Sequence, residues 1–168
     1  IFVRLDRTLD DARWRAITSM AGWEATFDFD PDPNVYPKDF AFFYAIAPNP
    51  ARGLFHLFYI RHHKNAPIQN SERSFGHAWS GDLRTWSWDT SAAVFSVSSN
   101  AWDRSHVWAP SIVQVGDSCA MFYTGVDDQA DPPRVDLGNQ RIGYAMTAAI
   151  DTGHATVWVR RSEPTYTV

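Results

Sequence analysis

Few side chains in this 168-residue chain combine a type and a position that suit chemistry. Asp39 is the first, a carboxylate at the start of the run Asp39–Ala47, DFAFFYAIA, which is otherwise almost wholly apolar. Partial desolvation there would raise its pKa unless a cation opposed it, and the candidate cations are His106 and the trio Arg61-His62-His63. His106 and Trp108 flank Val107 and share a strand face, where an indole can stack on the apolar side of a pyranose ring. His62 and its neighbours suit either a carboxylated sugar or plain solvation. His77 has Tyr144 as its counterpart in the internal repeat described below, so it fills a ring-sized slot, either structurally or against a sugar hydroxyl. His56 reads as a packed strand residue, and Asp82 and Asp103 as turn residues. Glu24, Asp28, Asp30 and Asp32 would suit a structural calcium ion. They lack the Gly and downstream Glu of a helix-loop-helix site, which leaves a solvated Pro/Asp-rich loop over Asp28–Pro37 as the alternative. No other cofactor is expected. Gly-x-Ser-x-Gly, a P-loop, a dinucleotide fingerprint and His-Glu-x-x-His are missing.

The elements that must hold these groups are strands. Phe55–Arg61 and Ser74–Ser80 show period-two patterning; a Gly81-Asp82 turn then leads to a short strand carrying Trp86 and Trp88. The unit returns over Asp117–Val159, with CAMFYTG answering FHLFYIR, RIGYAMT answering SFGHAWS, and TVWVR answering RTWSW. Phe58 and Tyr59 match Phe122 and Tyr123, Gly76 and Ala78 match Gly143 and Ala145, and Trp86 matches Trp158. An apolar strand precedes each copy, Asp39–Ala47 in one and Val107–Val115 in the other. Its apolar character predicts burial on both faces. Aligning Ile46 with Val115 sets Asp39 opposite Trp108. A four-stranded β unit of roughly 40–50 residues, made twice, predicts an all-β fold of propeller-type blades. The domain reading is a single propeller-type unit or fragment over 1–168. An N-terminal extension spans 1–37, with a short strand at Phe2–Leu5 and a helix near Leu9–Met20, and the blades span 38–90 and 105–160.

Composition sets the outer limits. Hydrophobic residues at 45% and charged ones at 20% describe an ordinary globular chain. Aromatics reach 15% with eight Trp, which suits sugar binding or wide packing between sheets. A net charge of −4 gives no basic footprint for nucleic acid. No apolar run approaches the roughly 20 residues of a membrane-spanning helix. The single cysteine, Cys119, excludes an intrachain disulfide and reads as a buried, inert thiol. The chain opens on Ile1 without Met or a signal-like segment, as expected of a mature product or a fragment.

Over roughly Lys38 to Trp158 the linked motifs resemble those of the five-bladed β-propeller glycosidases, notably glycoside hydrolase families 32 and 43. SFGHAWSGDLRTWS is similar to their G-H-A-x-S-x-D-L-x-x-W signature, GLFHLFY to their G-x-Y-H-L-F-Y strand, and HVWAPSIV with MFYTG to their W-A-P-x-I and M-F-Y-T-G. The resemblance implies a carbohydrate substrate and two carboxyl groups, one to protonate the leaving oxygen and one to attack or to activate water. In those families an Asp-Pro begins the first inner strand and supplies the nucleophile or base. Asp39-Phe40 stands there in this chain. The acid Glu and a second Asp come from later blades, and nothing after Trp158 resembles their motifs; Glu163 lies in a Pro-flanked tail. Five blades need roughly 200–250 residues, so this chain holds the N-terminal ones. Self-association, or blades from the rest of a longer chain, is therefore expected to cover the open edges. The alternative is a non-catalytic carbohydrate-binding or assembly module.

Overall fold

The computed structural model describes residues 34–45, 54–67, 70–83, 85–88, 93–99, 102–127, 139–148, 150 and 157–167. Its strands are β1 (Val35–Ala45), β2 (Leu54–His63), β3 (Ser74–Ser80), β4 (Ser87–Trp88), β5 (Phe95–Ser96), β6 (His106–Val115), β7 (Ser118–Val126), β8 (Gln140–Thr147), β9 (Val159–Arg160) and β10 (Tyr166–Thr167). They form two separate antiparallel sheets. One runs β1-β2-β3 with β4 and β5 both on β3; the other runs β6-β7-β8 with β9 and β10 both on β8. The expected four-strand blades are present, and in each the fourth position is shared by two short segments. The expected strand at Phe2–Leu5, the helix near Leu9–Met20 and the acidic group Glu24, Asp28, Asp30 and Asp32 lie outside the described residues. Val35–Pro37, expected as the end of a loop, instead begins β1, pairing Val35 with His63 and Pro37 with Arg61. Pro37 is tolerated because β1 is an edge strand.

The repeat is exact in register where glycine demands it. Tyr59 pairs with Gly76 across β2 and β3, and Tyr123 pairs with Gly143 across β7 and β8. A Cβ on either glycine would sit 2.3 Å from its tyrosine ring. Each ring lies over a glycine in the neighbouring strand, and any larger residue would displace it.

Both inner strands carry the same irregularity. Pairing slips between Lys38 and Ala41 in β1 and between Trp108 and Ser111 in β6. Within these bulges Asp39 and Ala109 take positive φ values of 34° and 47°. Lys38 pairs with Ile60 and Trp108 with Thr124, which are equivalent positions of β2 and β7. Lys38 therefore corresponds to Trp108, and Asp39 to Ala109. The sequence alignment of Asp39 with Trp108 is off by one, because apolar pattern does not reveal where a bulge takes up its extra residue.

The sheets pack face to face around Ile60, Phe75 and Phe95 from the first and Val107, Met121, Tyr123 and Ala145 from the second, with Trp102 between. The larger aliphatic and Phe side chains among them each contribute about 1.5–3 kcal/mol by burial. Across this seam runs a polar latch. Asp103, expected as a turn residue, is fully buried; it accepts from the Tyr123 hydroxyl at 2.9 Å and pairs with Arg160 Nη1 at 3.1 Å. Ser98 Oγ donates to its other oxygen. The Arg160 guanidinium lies 4.2 Å over the Phe95 ring and donates to the Ser96 carbonyl, joining β9 to β5 of the other sheet. Cys119 is buried, and burial pushes its thiol up against a weaker opposing hydrogen bond from the Ile150 backbone, as expected of an inert thiol.

The outward faces differ from expectation. Phe42, Tyr44 and Trp88 on the first sheet and Val113, Phe122 and Ile142 on the second are exposed. The apolar run of β1 is thus buried on one side only within the described residues.

Candidate functional site

Antiparallel pairing brings the starts of β1 and β3, the end of β2 and the start of β6 to one end of the molecule. At their meeting point stands Glu72, in the segment leading into β3, 5% exposed and with φ of 57°. Glu72 Oε1 accepts from Lys38 Nζ at 2.9 Å and lies 2.7 Å from His62 Nδ1. Its backbone N–H donates to the Arg61 carbonyl at 3.2 Å, and its carbonyl accepts from the Val107 N–H at 3.3 Å. Ser71 Oγ accepts from the His63 N–H at 3.0 Å and sits 3.1 Å from His62 Nδ1. The Ser71 carbonyl lies 3.1 Å from His106 Nδ1, so that nitrogen carries the proton and donates. Burial alone would raise the Glu72 carboxyl. The hydrogen bonds and charge of Lys38, then of His62, outweigh it and hold the group below the usual carboxylate range.

Around this centre the residues singled out from sequence fall into two sets. Asp39, His62, His106 and Trp108 gather at this end. Asp39 is exposed on its bulge rather than partly desolvated, and it forms no hydrogen bond or ion pair among the described residues. His106 is fully buried and stacks on Trp108 at 5.3 Å and 23°. The Trp108 indole N–H is buried without an acceptor among the described residues. His77 belongs to the other set. It is fully buried, stacked on Phe58 at 4.5 Å, with its Nε2 2.9 Å from His56 Nδ1. No face of it is open to a ligand. Glu163 is exposed in the segment between β9 and β10. Asp127, beyond the end of β7, is paired with Arg104 at 2.8 Å.

Glu72 itself escaped the sequence reading. Its partners Lys38 and His62 are 34 and 10 residues away, so no local spacing marks it. A carboxylate two residues before the strand SFGHAWS was the available signal. Chemically, this end offers one carboxylate unpartnered among the described residues, an indole, and a second carboxylate already paired with Lys38 and His62. An indole face suits stacking on a ring, and an exposed carboxylate suits proton abstraction or nucleophilic attack.

Comparison with known proteins places this geometry. A profile of the glycosyl hydrolases family 32 N-terminal domain matches residues 47–158. The structure is similar to that of a GH43_1 enzyme from Xanthomonas citri complexed with xylotriose, with TM-score 0.57 and 11% identity over 84% of this chain and 36% of that one. It is also similar to Zg3597, a family 117 glycoside hydrolase from the marine bacterium Zobellia galactanivorans, with TM-score 0.56 and 14% identity over 80% of this chain and 40% of that one. A third likeness is the β-xylosidase RS223, with TM-score 0.51 and 12% identity over 79% of this chain and 37% of that one. Identities this low carry the fold alone, and that fold is the β-propeller of glycosidases. The chain spans well under half the length of these structures. No curated protein sequence matches it.

Proposed function

This chain belongs to the family of the glycosyl hydrolases family 32 N-terminal domain, and from that premise we propose that it forms the first two blades of a glycosidase acting on an oligosaccharide or polysaccharide. Asp39 is the base or nucleophile in this reading. One observation carries it: the Asp39 carboxylate projects, exposed and unpartnered among the described residues, from a bulge whose counterpart in the other blade holds a chemically inert alanine, Ala109. A carboxylate that activates water or attacks an anomeric carbon must be ionised and free to reach the substrate. Trp108, beside it on the next inner strand, supplies a stacking surface for the sugar. His106 orients that indole by its own stacking.

The proton donor comes from outside the described residues. Glu72 and Asp127 are ion-paired at this end, and the carboxyl of Glu72 is held low, so neither is suited to give a proton to a leaving oxygen. The exposed apolar side chains of β1, β4 and β6–β8 are then covered by further blades, from the remainder of a longer polypeptide or from a second copy of this chain. Sedimentation of this chain alone as a compact monomer at micromolar concentration would count against covering by a second copy.

Asp39→Asn keeps the shape of the side chain and removes its charge. On a glycoside that the parent demonstrably cleaves, turnover should fall roughly 10²–10⁴-fold with folding retained. Unchanged turnover excludes Asp39 from the chemistry. The ion pairing of both other carboxylates favours one second reading, a carbohydrate-binding module without catalysis. In that case the parent binds sugar and cleaves nothing, and Trp108→Ala weakens binding while Asp39→Asn does not.

A further inference from the structure

The bulge in β1 is a property of the fold, since β6 repeats it with Ala109 in the same left-handed conformation. What the second blade does not repeat is the ion triad. Trp108 stands there in place of Lys38, and Asn139 occupies the position equivalent to Glu72. The first blade therefore keeps a buried carboxylate, in a backbone conformation that costs a non-glycine residue about 1–2 kcal/mol, next to its one exposed bulge carboxylate. Stability alone gives little reason for such an arrangement, because a buried ion pair barely repays its desolvation.

We infer that Glu72 is a positioning residue for Asp39: it holds the Lys38 ammonium against its own carboxylate and so keeps the neighbouring Asp39 carboxylate free of an intramolecular partner. The inference rests on the reading of Asp39 given above. Lys38 and Asp39 are adjacent in the chain, and the Lys38 side chain is 46% exposed, so without Glu72 its ammonium would be free to swing to Asp39. The other charged and titratable groups at this end are committed elsewhere or differ in reach. His62 is bound to Glu72 and Ser71, and His106 to the Ser71 carbonyl. Arg73 donates to the Ser105 and Arg104 carbonyls. The backbone bonds from Glu72 to Arg61 and from Val107 to Glu72 fix the same segment to both sheets, so the carboxylate that holds Lys38 is itself held by the seam between the blades.

The test follows the side-chain carboxyl carbon of Asp39 by NMR through a pH titration of the intact chain. In Glu72→Gln, Lys38 is released, and the Asp39 titration should move about one pH unit or more to lower pH. Adding Lys38→Gln to that variant should return the titration to its parental position. Lys38→Gln alone, which leaves Glu72 in contact with His62, should leave the Asp39 titration where it is in the parent. An Asp39 titration unmoved in folded Glu72→Gln overturns the inference. So does a clear rise on Lys38→Gln alone, because Lys38 would then already be acting on Asp39. Turnover separates this result from the proposed function. If Asp39→Asn cleaves as well as the parent, the catalytic reading falls, while the titrations still decide whether Glu72 holds Lys38 away. If Asp39→Asn is inactive, Glu72→Gln should lower kcat at least tenfold and move the acidic limb of the pH–rate profile in the same direction as the NMR titration.

Discussion

Acidification below about pH 6.5 should destabilise this protein before its carboxylates begin to be protonated, and the cause is the buried pair His56 and His77. Both rings are fully buried and stack at 5.2 Å, with His56 Nδ1 2.9 Å from His77 Nε2. Whichever tautomers they adopt, one donates to the other, and His56 Nε2 and His77 Nδ1 have no hydrogen-bond partner among the described residues. Burial pushes His56 down to about 4; burial, with the charge of His56 behind it, pushes His77 down to about 3. The unfolded chain takes up a proton on each ring near the ordinary value of 6.5, whereas the native chain refuses both until pH 4 or below. The unfolded state therefore binds more protons throughout that interval, and stability falls as pH falls from about 6.5 toward 4. At 1.36 kcal/mol per unit, each ring loses roughly 3 kcal/mol by pH 4, and the pair at most about 6 kcal/mol because the two are coupled. In a domain of this size that is a drop in Tm on the order of 10–20 °C. Urea unfolding followed by circular dichroism at half-unit pH intervals measures it. A double variant, His56→Phe with His77→Phe, removes both titrating groups and both unpaired nitrogens, and its stability should vary little between pH 7 and 5. Glu72 adds its own loss as pH falls through the ordinary carboxylate value of 4.5, where the unfolded chain takes up that proton first while the depressed native carboxyl does not. A parent whose stability changes by less than about 1 kcal/mol over pH 7 to 4.5 would refute the reasoning, as would a double variant with an undiminished slope.

Two further outcomes test how the blades are held. Asp103→Asn should cost about 3–5 kcal/mol in urea unfolding, because it leaves the largely buried Arg160 guanidinium without its charge partner. Asp103→Asn combined with Arg160→Met should recover part of that loss, and no recovery would mean that the latch is not a coupled pair. Gly143→Ala should cost about 1–3 kcal/mol, because the new methyl would meet the rings of both Tyr123 and Trp102, at 2.3 and 2.5 Å, and neither can leave a packed seam cheaply. A neutral Gly143→Ala would show that the rings have room to shift.

The physical content of the linked motifs explains what they can and cannot reveal. In SFGHAWSGDL, Gly76 makes room for the Tyr59 ring. Ser80 Oγ accepts from the Asp82 and Leu83 N–H groups, and Asp82 Oδ1 accepts from the Thr85 N–H at 2.7 Å, so this pair locks the turn after β3. Asp82 is thus the turn residue the sequence indicated. Every one of these roles is local and structural, which is why the motif marks the blade so well and says so little about chemistry.

By itself the amino-acid sequence determined the blades. Period-two alternation placed β2, β3, β7 and β8, and the repeated Tyr–Gly and Trp positions set their order, because strand geometry and ring-over-glycine packing act between near neighbours in the pattern. It also singled out Asp39, Trp108 and His106 at the shared end, since the starts of apolar strands are visible as breaks in hydrophobicity. Only the tertiary structure decided the rest. The bulge that pairs Asp39 with Ala109 arises from cross-strand register. The stacking of His77 on Phe58 follows from the register that makes them direct partners across β3 and β2. The Asp103–Arg160 latch and the grip of Glu72 on Lys38 join residues far apart in the chain. An ion pair has no periodicity along a sequence; it exists only where the fold brings two charges together and shuts out water.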